Sequence, residues 1–254
     1  MAAGWYEGFA PLFEYTAKKF NPDSDVRVFF KRDLFPDHPD NATSILRFCV
    51  PNKYFKGYDY VYFSDVDFLF LPQTPTLFDY NINAMSNSNA CYAGLRGRMM
   101  KDKQPVWDGT QTRIVAAMFM ASWNWFVRTE KQREFYVEHS RKGLKYREKD
   151  EVYLFKICRD SSLPTPTKVF HFVSGEKYDM KYRMIHLGDF SKNHRWTKIN
   201  KMKRKFLIDH NIHEYKKHLM ADPGFLSIVE KTRNNPQVHD TIKNLREHIR
   251  MRNV

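Results

Sequence analysis

"YDYVYFSDVDFLFL" (Tyr58 to Leu71) sets two carboxylates inside an almost unbroken apolar and aromatic run. β-Branched and aromatic residues on both sides read as a strand. Side chains alternate along a strand, so Asp65 and Asp67 are expected on one side and Val66 on the other. Two converging acids without a counter-charge would repel and carry a heavy desolvation cost, which a divalent cation offsets by taking oxygen ligands. An Asp-x-Asp at the carboxyl end of a buried parallel strand suits a metal carrying phosphates, because open α/β sheets bind ligands there. The competing reading ends the strand at Ser64 and leaves both acids in a solvated loop.

Outward from this stretch, the apolar positions between Glu7 and Phe20 recur at three- and four-residue steps and predict a helix. "DVRVFFK" (Asp25 to Lys31) predicts a short strand, and Thr43 to Val50 a helical approach to the opening stretch. Further strands are expected at Ala90 to Leu95, Arg113 to Trp123, Thr167 to Val173 and Arg183 to Gly188, with a helix from Thr129 towards Gly143. Strands alternating with helices predict an α/β domain with a largely parallel sheet.

The chain has 254 residues, room for one sizeable core, and 42 Lys+Arg against 29 Asp+Glu give a formal charge of +13. That excess favours an anionic partner: a nucleotide, a nucleic acid or an acidic membrane surface. Ser191 to Val254 contributes +9 of it, and within this tail Val238, Ile242, Leu245 and Ile249 form an apolar stripe at helical spacing. The stripe reads as a terminal helix packing on the domain; a surface for an anionic acceptor or membrane is the alternative. Cys49, Cys91 and Cys158 cannot all pair and sit among apolar residues, which fits a reducing cytosol. No apolar run approaches the ~18 residues of a membrane span, so a soluble, cytoplasmic protein is expected, with peripheral membrane contact left open.

"SILRFCVPNKYFKGYDYVYFSDVDFLF" (Ser44 to Phe70) resembles the Asp-x-Asp region of retaining glycosyltransferases with the GT-A fold, families eight and six in particular. The resemblance implies a Rossmann-like GT-A domain over 1–196, with a mostly parallel central sheet and flanking helices, and a basic helical extension over 197–254. It implies Mn2+ or Mg2+ and a UDP-sugar donor. Asp67 would ligate the metal, Asp65 would touch the donor's ribose or the metal, and Arg47 would lie against the donor sugar or the acids.

"KDEVYLFKICRDSSLPTPTKVFHF" (Lys149 to Phe172) is similar to a family-six segment whose acidic pair matches Asp150 and Glu151. The aspartate would hold donor sugar hydroxyls; the glutamate would lie beneath the anomeric carbon as nucleophile or charge stabiliser. Lys149 and Phe155 replace a His and an Asn of that pattern. Without the resemblance, "EKDE" is an ordinary acidic helix start. "MIHLGDFSKNHRW" (Met184 to Trp196) resembles a family-eight motif in which the His, here His186, completes the metal site and the Lys, here Lys192, meets the diphosphate. The glycine stands one place early and the proline is absent. Trp123 and Trp125 could stack on a sugar or belong to the core. The family's folds open with a strand whose end binds uracil, whereas only "MAAG" precedes the first predicted helix here.

The implied reaction moves a hexose, glucose or galactose, to a hydroxyl of a glycan or lipid-linked saccharide with retention of configuration. Two other readings account for the basic tail: a phage-type enzyme glycosylating a hydroxymethylated DNA base, and a non-catalytic nucleic-acid-binding protein. The second leaves Asp65, Asp67, Asp150 and Glu151 without a purpose.

Overall fold

The computed structural model describes residues 1–72, 74, 76–87, 89–93, 95–96, 98–99, 105–106, 113–114, 118–142, 150–164, 184–190 and 213–250. The chain divides into two units, each stitched from separated stretches: Met1, Phe29–Asp65 and Pro75–Asp179 in the first, and Ala2–Val28, Val66–Thr74 and Met180–Val254 in the second. The boundary expected at 196 lies outside the described residues. The chain passes from one unit to the other at the Asp65–Val66 bond, inside the opening stretch.

The expected single strand from Tyr58 to Leu71 is two: β1 (Tyr60–Ser64) and β2 (Phe68–Phe70), with Asp65, Val66 and Asp67 in the turn between them. The two acids are therefore not fixed to one face by strand alternation. They are also not a solvated loop, since Asp67 is only 4% exposed.

In the first unit, β1 pairs antiparallel with β4 (Met118–Ser122), which pairs antiparallel with β3 (Tyr92–Ala93) on its other side. The order is β1-β4-β3. The outer strands consequently run parallel to each other, with helix α2 (Leu77–Ser86) in the connection between them and an opposed strand in the middle. All pairings among the described residues are antiparallel, including the short ladders of Leu95–Arg96 with Arg113–Ile114 and Arg98–Met99 with Pro105–Val106; the mostly parallel sheet expected from the alternation of elements is not seen in them. Alternation of elements along the chain does not dictate strand direction, and here β4 enters between the two parallel strands.

Helix α3 (Trp123–Ser140) starts directly after β4, so Trp123 and Trp125 belong to a helix and not to a strand. Trp125 is fully buried, packed on Phe126, Phe119 and Phe63, and its indole N–H donates to Cys158 Sγ at 3.3 Å. This is the core reading of that tryptophan. Helix α4 (Asp150–Asp160) buries Tyr153, Leu154, Phe155, Ile157 and Cys158 in the same core. The Cys49 thiol, buried there as well, is pushed up to about 12 by its apolar surroundings.

The second unit joins helix α1 (Ala10–Phe20) to β2, to β5 (Met184–His186) and to helices α5 (Pro223–Lys231) and α6 (Pro236–Arg250). β2 and β5 pair antiparallel, with Phe68 opposite His186 and Phe70 opposite Met184. Thr16 is buried in α1, where its hydroxyl donates to Leu12 C=O at 3.0 Å and accepts from Phe70 N–H at 3.1 Å, tying helix to strand. The tail's apolar stripe, Val238, Ile242, Leu245 and Ile249, is at most 2% exposed and shares a core with Phe9, Leu12, Leu69 and Leu71. The stripe packs at home, and α6 is part of this unit's core and not an appended extension.

Asp25 to Lys31 forms no strand; Phe30 makes a single bridge and Lys31–Leu34 turn into a short helix. A β-branched run makes a ladder only where a partner edge is on offer. Thr43–Leu46 is α-helical and Arg47–Cys49 continues as a 3-10 turn. The strand expected over Thr167 to Val173 lies outside the described residues.

Candidate functional site

Arg47 sits at the end of the Thr43–Leu46 helix, where the chain tightens into a 3-10 turn before Pro51. Ile45, Leu46, Phe48 and Cys49 on either side are buried, and they pull Arg47 down with them to 7% exposure. A buried guanidinium requires acceptors. It finds two carboxylates from distant parts of the chain: Nη1 donates to Asp65 Oδ1 and Nη2 donates to Asp150 Oδ2 at 2.5 Å. Burial works against the charge, yet Asp65 and Asp150 outweigh it and raise the Arg47 pKa above its ordinary value.

Asp150 opens helix α4, and its second oxygen, Oδ1, accepts the Glu151 N–H at 2.9 Å. One carboxylate thus anchors both Arg47 and the head of the helix, where an acid is favoured by the dipole. Glu151 follows in the first turn, half-buried. The acidic-start reading and the sugar-holding reading of this pair describe the same atoms.

Two polar atoms beside this cluster are buried without a hydrogen-bond partner among the described residues: Arg47 Nε and the Tyr62 hydroxyl. Burial, and then the charge of Asp65, raises the Tyr62 pKa, so the phenol keeps its proton and remains a donor. Orphaned buried donors are rare, and each requires a physical reason. Two of them next to half-exposed carboxylates make a lining suited to an oxygen-rich ligand.

In the second unit, Asp67 ends the turn and leads into β2, and its carbonyl accepts the Leu187 N–H at 2.7 Å. The ladder therefore runs one step beyond Phe68–His186 and fixes the backbone of His186 next to that of Asp67. Within this unit Asp67 offers a hard carboxylate and His186 an imidazole, donors whose chemistry suits Mn2+ or Mg2+. Among the described residues, no group of three or more His, Cys, Asp and Glu side chains is gathered closely enough to hold an ion. Lys192 and Lys149 lie outside the described residues.

Of the residues singled out in the sequence, the first unit brings together Arg47, Asp65, Asp150 and Glu151, and the second brings together the backbones of Asp67 and His186. Tyr62 was not anticipated. Its signal was available: within "YDYVYF" it is the tyrosine nearest the acids on alternate positions of β1.

Comparison with known proteins adds no relative: no family model, no curated protein and no solved structure matches this chain.

Proposed function

We propose that this chain is a metal-dependent retaining glycosyltransferase that moves a hexose, glucose or galactose, from a UDP-sugar to a hydroxyl of a saccharide acceptor. The observation that carries the reading is Arg47, buried and donating at once to Asp65 and Asp150, 18 and 103 residues away in sequence. Arg47 is buried, but both of its acids stay partly open to solvent, with side chains 30% and 23% exposed, so their remaining oxygens are within reach of a polar ligand.

Arg47 holds the Asp150 carboxylate in place for the hydroxyls of the donor sugar. Asp150 in turn fixes the Glu151 backbone, presenting the Glu151 carboxylate to the positive charge that develops on the anomeric carbon as the bond to the diphosphate breaks. By the resemblance, Asp67 and His186 of the second unit would take part in holding Mn2+ or Mg2+, which when bound supplies charge neutralisation for the departing diphosphate. Lys192 would add a second cation there. The Tyr62 hydroxyl and Arg47 Nε have donors in hand for donor oxygens.

The apolar stripe of α6 is committed to its own core, which removes the amphipathic-helix argument for a membrane surface. No helix among the described residues is long and apolar enough to cross a membrane.

The test is a panel of nucleotide sugars with Mn2+, scored by nucleotide release. UDP-glucose or UDP-galactose should be turned over, EDTA should stop it, and Asp67→Ala should abolish it with the circular-dichroism spectrum unchanged. Full turnover in EDTA or in Asp67→Ala sinks the proposal. Salt-sensitive binding to duplex DNA without any sugar turnover would favour the nucleic-acid reading instead.

A further inference from the structure

The amino-terminal end of β1, the end away from Asp65, borders a cavity of about 280 Å3 within the first unit. Five residues of extended chain separate Tyr60 from Asp65, roughly 16 Å at 3.3 Å per residue. The cavity is therefore a different place from the acidic cluster.

Its lining has a particular chemistry. Tyr60 contributes an aromatic face, Asn89 and Asn124 planar amides, Ser86 and Ser122 hydroxyls, and Arg128 a guanidinium; no acid is among the lining residues. Tyr60 is 38% exposed and meets Phe78, 52% exposed, edge to face at 5.6 Å between ring centroids. The Tyr60–Phe78 pair thus leaves an aromatic edge open to solvent beside the cavity.

The backbone around the cavity is unusual as well. Among the described residues, two that are not glycine adopt the left-handed region, Asn89 at φ 47° and Ser162 at φ 51°. Each closes a helix in the same way: Ala90 N–H reaches back to Met85 C=O and Leu163 N–H to Cys158 C=O, placing Asn89 and Ser162 where glycine is ordinarily favoured. Asn89 carries its amide into the cavity lining, and the Ser162 carbonyl accepts from Arg128 Nη2 at 3.1 Å, holding the guanidinium at the rim. Both departures from glycine thus serve one location.

An aromatic face beside planar amides and hydroxyls suits a pyranose ring, with its apolar C–H faces and equatorial hydroxyls. Arg128, uncompensated by any lining acid, adds a fork for a carboxylate. We propose that this cavity is a second saccharide-binding subsite, selective for a sugar that carries a carboxylate. Tyr60 stacks on the ring, Asn89, Asn124 and Ser86 read its hydroxyls, and Arg128 takes the acid. The subsite does not depend on the glycosyltransferase reading, since it involves neither metal nor nucleotide.

The experiment uses the full chain in EDTA without nucleotide sugar, titrated with glucuronate and with glucose and followed by amide chemical shifts. Glucuronate should bind saturably and more tightly than glucose. Tyr60→Ala should weaken both by about tenfold, and Arg128→Gln should erase the preference for glucuronate while leaving glucose binding in place. Both side chains are at the surface, and a thermal midpoint checks that each variant is folded. Equal affinity for the two sugars, affinity untouched by Tyr60→Ala, or no saturable binding overturns the proposal. Because no turnover is measured, failure of the transferase assay leaves this result standing, and the reverse holds too.

Discussion

Among the described residues the first unit buries two arginines, and they are held in opposite ways. Arg47, 7% exposed, gives its hydrogen bonds to two carboxylates, and its pKa is raised. Arg133, 3% exposed on α3, gives its hydrogen bonds to neutral oxygens: Thr129 Oγ1 at 3.1 Å, Val50 C=O and Phe126 C=O at 2.9 Å, and Asn52 Oδ1. Burial dominates there and lowers its pKa. Trp125 and Phe126 lie within 5.4 Å of the Arg133 guanidinium carbon and cover it. Arg133 staples the segment after Arg47 to the helix; nothing a ligand brings could replace those carbonyl contacts. Arg47 engages charges, and under the proposed function these would change partners when a cation or a sugar arrives. The one residue is architecture, and the other would be poised for exchange.

Substitution should separate them. The largest effect is expected for Arg47→Ala, which should lower Mn2+-dependent nucleotide release by about 100- to 1000-fold. In the same variant Mn2+ should raise the thermal midpoint more than it does in the wild type, because Asp65 and Asp150 have lost their resident cation. A midpoint indifferent to Mn2+ would break the comparison at its functional end. Arg133→Met comes next. It strands several buried acceptors and should cost about 3 kcal/mol in urea unfolding, with no recovery by Mn2+. Arg133→Lys should restore less than half of that loss, since one ammonium cannot span the four acceptors of a planar fork.

A surface cluster in the second unit sets the lower bound. Asp222 caps helix α5 through Gly224 N–H at 3.1 Å, pairs with Lys19 at 2.8 Å, and accepts from the Tyr15 hydroxyl. Burial pushes its pKa up, but the Lys19 and Tyr15 hydrogen bonds prevail and hold it below the ordinary 3.8. A depressed carboxylate stabilises the fold fully above that ordinary value and loses the contribution as pH falls through the folded one. Asp222→Ala should therefore cost about 1 kcal/mol at neutral pH, with the difference from wild type shrinking in acid. A loss as large as that of Arg133→Met would show that burial is not what divides these residues.

How far this was readable in the sequence varies from residue to residue. Asp65, Asp150 and Arg47 stood out because acids and a base flank apolar runs, and the structure does bring those three into contact. The end of β1 at Ser64 was legible as the competing reading of the stretch; the burial of Asp67 within the turn was not, because it depends on packing from distant parts of the chain. Trp123 was read as the end of a strand because aromatics favour strands, whereas it opens α3, whose Trp125 and Phe126 pack into the core. Arg133 was lost in the charged surface of that helix. Its signal was positional: Trp125, Thr129, Arg133, Tyr136 and Ser140 are the buried members of one face, and a charge in that register must be satisfied inside. The two-unit division was illegible, because it depends on which distant stretches share a core.

That sharing has a consequence during synthesis. The buried face of α1 meets Val238, Ile242 and Leu245 in one core, about 220 residues further along. At 5–20 residues per second, the ribosome delivers those partners roughly 10–45 s after α1 has emerged. For that interval Phe9 and Leu12 have no native cover from α6, so this part of the growing chain stays open to chaperones and proteases until α6 arrives.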